Sequence, residues 1–236
     1  MRFDGRANDQ IRPVTITPGY LDHPEGSALI EVGRTRVVCT ATIEERLPFW
    51  LRDQGQGWVT AEYGMLPRAT HQRTSRETSG LRGRTQEIRR LIGRSLRAGV
   101  DLKLLGERTL TVDCDVLQAD GGTRTAAITG GYVAMAIALR KLIKGGLLAA
   151  RVLGSPIAAI SVGVVQDEIL LDLNYHEDSQ AQVDFNVVMN AAGKYVEVQG
   201  TAEHGTFARE TMEQLLSLAE TGIQGLFKLQ REAYGR

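Results

Sequence analysis

A strand pattern that breaks at paired glycines and restarts as a long run of small residues constrains this chain more than any other feature. Leu110 to Leu117 has the period of a strand, and Ala126 to Ile143 has helical spacing over a stretch rich in alanine. Between them stands Gln118-Ala119-Asp120-Gly121-Gly122-Thr123-Arg124-Thr125. A strand that turns through two glycines into a helix presents the helix's first-turn N–H groups, which have no internal partner. Glycine lets the backbone approach an anion closely, Thr123 adds a hydroxyl donor, and Arg124 sets a charged fork beside the positive end of the helix dipole. Gly122, Thr123 and Arg124 are therefore candidate phosphate ligands. The same dipeptide also closes ordinary tight turns, with the arginine then on the surface. Other residues must decide between the two.

The flanking patterns give the fold class. Val14 to Ile16, Ser27 to Val32, Thr35 to Ile43 and Gly57 to Tyr63 read as strands separated by turn residues, and form one sheet. Residues 66 to 84 are polar and without period, so a long loop is expected there. A helix begins at Thr85, its N-cap, with Ile88, Leu91, Ile92 and Leu96 on one face. Ile157 to Val165, Ile169 to Asn174, Val183 to Met189 and Tyr195 to Gln199 read as a second group of strands. The C-terminal part reads as two helices broken near Thr221-Gly222. At 236 residues, without a linker or repeat, the expectation is a single α+β domain over residues 1–236, sheets packed with helices.

Charge divides the chain unevenly. The formal net charge is zero, which argues against a wholly basic nucleic-acid binder, yet Arg68, Arg73, Arg76, Arg82, Arg84, Arg89, Arg90, Arg94 and Arg97 are opposed in their segment only by Glu77 and Glu87. Arg68, Arg73 and Arg76 are candidate contacts to an RNA backbone. Arg90, Arg94 and Arg97 form a ridge that suits a solvated face or a subunit contact as well. Arg84, just before its helix, repeats the logic of Arg124, and the two helix entrances could converge on one anion. Asp178 and Asp184 flank a short loop between strands and could lie side by side; close carboxylates share a proton or a cation, and magnesium is the natural one. An acidic loop with a turn-capping aspartate is the plainer alternative.

Cys39 and Cys114 lie inside apolar strand patterns, which favours burial over a disulfide, and the four histidines lack metal-ligand spacing. The N-terminus lacks the apolar core of a signal peptide, and no apolar run approaches membrane-spanning length, so a cytoplasmic protein is expected. No P-loop or kinase signature supports cleavage of nucleoside triphosphates.

Several longer motifs occur in order along nearly the whole chain. They are Asp4-Gly5-Arg6 with Arg12-Pro13-Val14, Gly55-Gln56-Gly57-Trp58, Ala61-Glu62-Tyr63-Gly64-Met65-Leu66-Pro67-Arg68, Gly83-Arg84-Thr85, Asp113 to Thr125, and Glu197-Val198-Gln199-Gly200-Thr201-Ala202-Glu203. Together they closely resemble the bacterial ribonuclease PH family. The resemblance implies a ribosomal protein S5 domain 2-like fold, phosphate-dependent trimming of the 3′ end of tRNA precursors, and a homo-hexamer built as a trimer of dimers. It implies that Arg84 and Gly122-Thr123-Arg124 bind inorganic phosphate as co-substrate, and that Asp178 and Asp184 serve a catalytic Mg2+. His204 stands where this family is expected to carry glycine. A non-catalytic RNA-binding ring subunit is the competing class, and retention of both arginines and both aspartates speaks against it.

Overall fold

The computed structural model describes residues 2–78, 80, 82–203 and 205–235. Its first sheet holds β1 (Val14–Pro18), β2 (Gly26–Val32), β3 (Thr35–Glu44), β4 (Trp58–Met65) and β5 (Thr109–Gln118), in the order β1-β2-β3-β5-β4. The second holds β6 (Ile157–Val165), β7 (Glu168–Leu171), β8 (Val183–Asn190) and β9 (Tyr195–Ala202), in the order β7-β6-β8-β9. The helices are α1 (Gly83–Arg97), α2 (Leu102–Leu105), α3 (Thr123–Lys144), α4 (Tyr175–Asp178) and α5 (Arg209–Tyr234). Neighbouring strands are antiparallel except β4 and β5, which run parallel because a long connection bearing α1 separates them. The α+β class follows.

Period-two alternation gives each sheet one face for burial. On β3, Val37, Cys39 and Ala41 point into the core while Arg36 and Thr42 are exposed, and Cys39 lies opposite Cys114 of β5. Both thiols are buried and unoxidised. Helix α3 covers that face and also packs against β6 and α5 of the other half. A helix enclosed on both sides must be apolar all round and thin. Ala126, Ala127, Ala134 and Ala138 are buried, and a side chain at Gly130 would collide with Ile30. The small-residue run is thus a packing requirement. It also corrects one expectation: α3 has the length and mean hydropathy, 1.4, of a membrane span, although most of it is buried in the core. In the second half, Ile160, Val162, Phe185 and Val187 pack on Leu215, Ile223 and Phe227 of α5.

Four local expectations change. The C-terminal helices are one, α5, because Gly222 does not break it: a Cβ there would lie 2.7 Å from Ile160 Cδ1 and 2.9 Å from Leu171 Cδ1, so glycine admits the sheet. Its cost in helix propensity, about 1 kcal/mol, is small against that packing. The strand expected to reach Asn174 stops at Leu171, where Asp172 takes a left-handed φ of 55° and turns the chain. Asn174 then caps α4 in a capping box with Glu177. Thr85 is not the N-cap of α1, which starts at Gly83; its hydroxyl donates to Glu77 Oε1 at 2.8 Å. Helix α3 begins one turn earlier than its apolar pattern, directly at Thr123.

Candidate active site

The turn between β5 and α3 is held from behind. Gly121 and Gly122 have φ of 77° and 66°, values that favour glycine. Thr35 Oγ1 donates to the Gly121 carbonyl at 2.7 Å and accepts from the Asp120 N–H at 2.9 Å, and Arg12 donates to the Asp120 and Gly121 carbonyls. With those carbonyls drawn away, the unpaired N–H groups at the start of α3 are left for the opposite side. Arg12 is itself anchored by Asp172, through Nε at 2.8 Å and Nη2 at 2.6 Å. Gly121 also touches the second half: a Cβ there would come within 2.6 Å of the Leu173 carbonyl and 2.8 Å of the Tyr175 nitrogen. The turn and the segment leading into α4 therefore meet backbone to backbone.

In front of this turn lies a cleft of about 590 Å³, lined by Arg84, Gly122, Thr123, Arg124, Asp178 and Asp184 among others. Arg84 stands in the first turn of α1 and Arg124 in the first turn of α3, so two helix entrances far apart in sequence open on one space. Arg124 is oriented by the Gln199 side-chain oxygen of β9 at 3.0 Å and by Glu87 Oε1 of α1 at 3.3 Å. Asp184 and Asn186 alternate on β8 toward the cleft, opposite Gly163 and Ser161 of β6, while Phe185 faces the core. Asp178 closes α4 at the cleft wall.

Burial raises both carboxyls above the ordinary 3.8. For Asp178 it acts against the pull of Arg124 and Arg84; for Asp184 it is reinforced by Asp178 and Glu203. Asp178 is accessible at its surface and Asp184 partly so, and water screens part of these effects. Two hard carboxylates that repel one another fit an ion that takes one or two of them and keeps its waters, as magnesium does. Among the described residues no group of three or more His, Cys, Asp or Glu could form a closed metal site.

Arg68, Arg73 and Arg76 are exposed and do not line the cleft. They ride on the loop whose Thr70, His71, Gln72 and Thr74 do, and that loop is tied down where the Ala119 N–H meets the Ala69 carbonyl at 2.8 Å. The ridge on α1 is partly held by protein: Arg94 pairs with Glu197 at 2.9 Å, and Arg97 lies over the Trp58 ring and donates to the Val59 carbonyl. His204 lies outside the described residues.

Two family models match successive parts of the chain, the 3′ exoribonuclease family, domain 1, over residues 10–141 and domain 2 over residues 155–222. The chain belongs to the 3′ exoribonuclease family. The cleft lies where the two matched parts meet, with Arg84 and Arg124 from domain 1 and Asp178 and Asp184 from domain 2. The chain is 58% identical to the ribonuclease PH of Bacillus subtilis and 57% identical to that of Bacillus velezensis, in each case over all of this chain and 97% of the relative. Among solved structures, it resembles rice Rrp46 (TM-score 0.79, 20% identity, 98% of each chain). It also resembles a chain of the Archaeoglobus fulgidus exosome with RNA bound to the active site (TM-score 0.80, 21% identity, 96% and 91% of the two chains). These last likenesses show the exoribonuclease fold.

Sequence reasoning missed the groups that hold the family's motif residues in place. Arg12 and Thr35 shape the turn, Glu87 and Gln199 aim Arg124, and Ser161 and Asn186 line the floor. Arg12 and Gln199 stood inside the motifs that carry the resemblance and Asn186 two residues from Asp184 on a strand, but nothing in their order along the chain showed what each would hold.

Proposed function

We propose that inorganic phosphate sits on Arg84, Thr123, Arg124 and the N–H groups that follow Gly122, facing an RNA 3′ end held against Asp178 and Asp184. The chain is a phosphorolytic 3′-to-5′ exoribonuclease, a phosphate-dependent nucleotidyltransferase that trims tRNA precursors. A phosphate oxygen attacks the last phosphodiester, the bond to the 3′ oxygen of the preceding nucleotide breaks, and a nucleoside 5′-diphosphate leaves. The observation that supports this reading is the convergence of two guanidinium groups and two carboxyls on one cleft. Both halves contribute, so residues 1–236 work as one catalytic unit.

Charge explains the residue types. Two anions brought to about 4 Å repel by roughly 1 kcal/mol per unit charge pair in water and about 4 kcal/mol at the effective dielectric of a protein surface. Arg84, Arg124 and the positive end of α3 offset this on the side of the attacking phosphate. Asp178 and Asp184 would hold a magnesium ion, which when bound neutralises charge at the scissile phosphate and the leaving oxygen. In this reading the subunits assemble as a homo-hexamer, a trimer of dimers, as the resemblance to ribonuclease PH implies.

Labelled RNA incubated with and without phosphate tests the reaction. Trimming that needs phosphate and yields nucleoside diphosphates is expected; equal trimming without it, yielding monophosphates, would exclude phosphorolysis. Arg124→Ala removes a charge-assisted contact worth about 1.5 to 3 kcal/mol, so the KM for phosphate should rise about ten- to a hundredfold. Its partner Glu87 is 42% exposed and loses little. An unchanged phosphate KM would move the phosphate elsewhere.

The loop arginines act on RNA rather than on phosphate. Each contact between a cation and a single-stranded phosphate adds about 0.7 to the slope of log affinity against log salt. Replacing Arg68, Arg73 and Arg76 together by alanine should therefore lower that slope by about 2. A slope equal to that of the wild type would assign them to a solvated or subunit face.

A further inference from the structure

We infer that Tyr63 sets the proton of Thr123: its phenol O–H donates to Thr123 Oγ1 and so directs the Thr123 hydroxyl proton toward the phosphate. This rests on the placement of phosphate at Thr123 proposed above. Tyr63 is the last core-facing residue of β4 before the strand reaches the cleft at Met65, following Val59 and Ala61 on the same face. It is 6% exposed, and its hydroxyl lies 2.9 Å from Thr123 Oγ1.

Either hydroxyl could donate on distance alone, but the surroundings choose. Were Thr123 the donor, the Tyr63 proton would need a second acceptor in a buried site where Thr123 Oγ1 is its one hydrogen-bond partner among the described residues, and where the neighbouring groups are the cations Arg84 and Arg124 and the Cys114 thiol. With Tyr63 as donor both protons are used, one within the pair and one in the cleft. Burial raises the Tyr63 phenol above its ordinary value despite the Thr123 bond and the two arginines, so it remains protonated and able to donate at neutral pH. Thr123 is 7% exposed and begins α3, so its hydroxyl stands beside the unpaired N–H groups of the first turn. Turning its proton outward adds a donor to that set without moving a main-chain atom. Tyr63 reaches the phosphate through Thr123 and is a positioning residue.

Tyr63→Phe keeps the ring and its packing and removes only the hydroxyl. The full-length protein, Tyr63→Phe, Thr123→Val and the double variant are compared by KM for inorganic phosphate, KM for RNA, kcat at saturating phosphate, and the rise in Tm produced by inorganic phosphate. Tyr63→Phe should raise the phosphate KM about three- to tenfold and shrink the phosphate-induced rise in Tm. The RNA KM and kcat should stay within about twofold. Added to Thr123→Val, it should change the phosphate KM no further. A normal phosphate KM in Tyr63→Phe, a loss of Tm alone, or full additivity with Thr123→Val would each overturn the inference while leaving the phosphate reading intact. Wild-type trimming that ignores phosphate would overturn both.

Discussion

Asp184→Asn should lower phosphorolytic turnover by about 10²- to 10⁴-fold while leaving the folded chain at least as stable as the wild type at neutral pH. The two halves of this result have one cause. Burial, Asp178 and Glu203 raise the Asp184 carboxyl above 3.8, so the folded protein holds that proton more tightly than the unfolded chain does. A raised carboxyl favours the folded state while protonated, and folding stability falls as pH climbs from the ordinary carboxylate value through the raised one. Above that window the ionised group remains a burden. Asparagine keeps the shape and removes the charge, so its Tm should equal or exceed that of the wild type above the window, and the difference should vanish below it. Turnover and Tm measured across pH check both halves. Wild-type turnover in the variant would remove Asp184 from the chemistry, and a large fall in Tm at neutral pH would make its role structural.

Asp172→Ala should have the largest effect on stability, about 3 to 5 kcal/mol, or roughly 10 °C in Tm. Asp172 is 3% exposed and accepts two side-chain bonds and a main-chain bond from Arg12, while Arg6 lies 3.5 Å away. Arg2 and Arg6 are buried beside it with Glu177. Removing one acid leaves the Arg12 guanidinium buried without its counter-charge, which costs more than the intact pair contributes. Alanine also has to adopt the left-handed backbone that aspartate tolerates. Asp172→Asn retains that tolerance and one acceptor oxygen, and should lose less. Because Arg12 holds the Asp120 and Gly121 carbonyls, the phosphate KM of Asp172→Ala should rise as well. A Tm within about 2 °C of the wild type would mean that Arg12 finds other partners.

The elements that the sequence made legible are those set by local periodicity. Nine strands and the long helices follow from alternation or from a 3.6-residue repeat, which a few neighbouring residues decide. Two of the errors fall where a contact distant in sequence overrode the local signal. Gly222 reads as a helix break until Ile160 and Leu171 are seen against it. Asp172 reads as a strand residue until its pairing with Arg12, 160 positions away, accounts for the turn. The short helix α4, four residues long, has too little sequence to show a period.

The candidate site divides in the same way. The residue types, the double glycine and the two arginine-bearing helix starts could be read directly, because a turn that presents unpaired N–H groups needs those residues in that order. Which groups stand behind them could not. Tyr63 against Thr123, Gln199 and Glu87 on Arg124, and Arg12 across to Asp172 are pairs whose order along the chain carries no signal.

The sequence by itself determined the local elements, the family and the chemical inventory of phosphate ligands and acids. Only the tertiary structure decided that the inventory forms one cleft. Arg84 and Arg124 come from the first half and Asp178 and Asp184 from the second, and they meet because α3, thin enough to lie against both sheets, brings its N-terminus to the segment that carries α4. Local rules fix the backbone one turn at a time, whereas a meeting of segments so far apart is set by how buried surfaces fit.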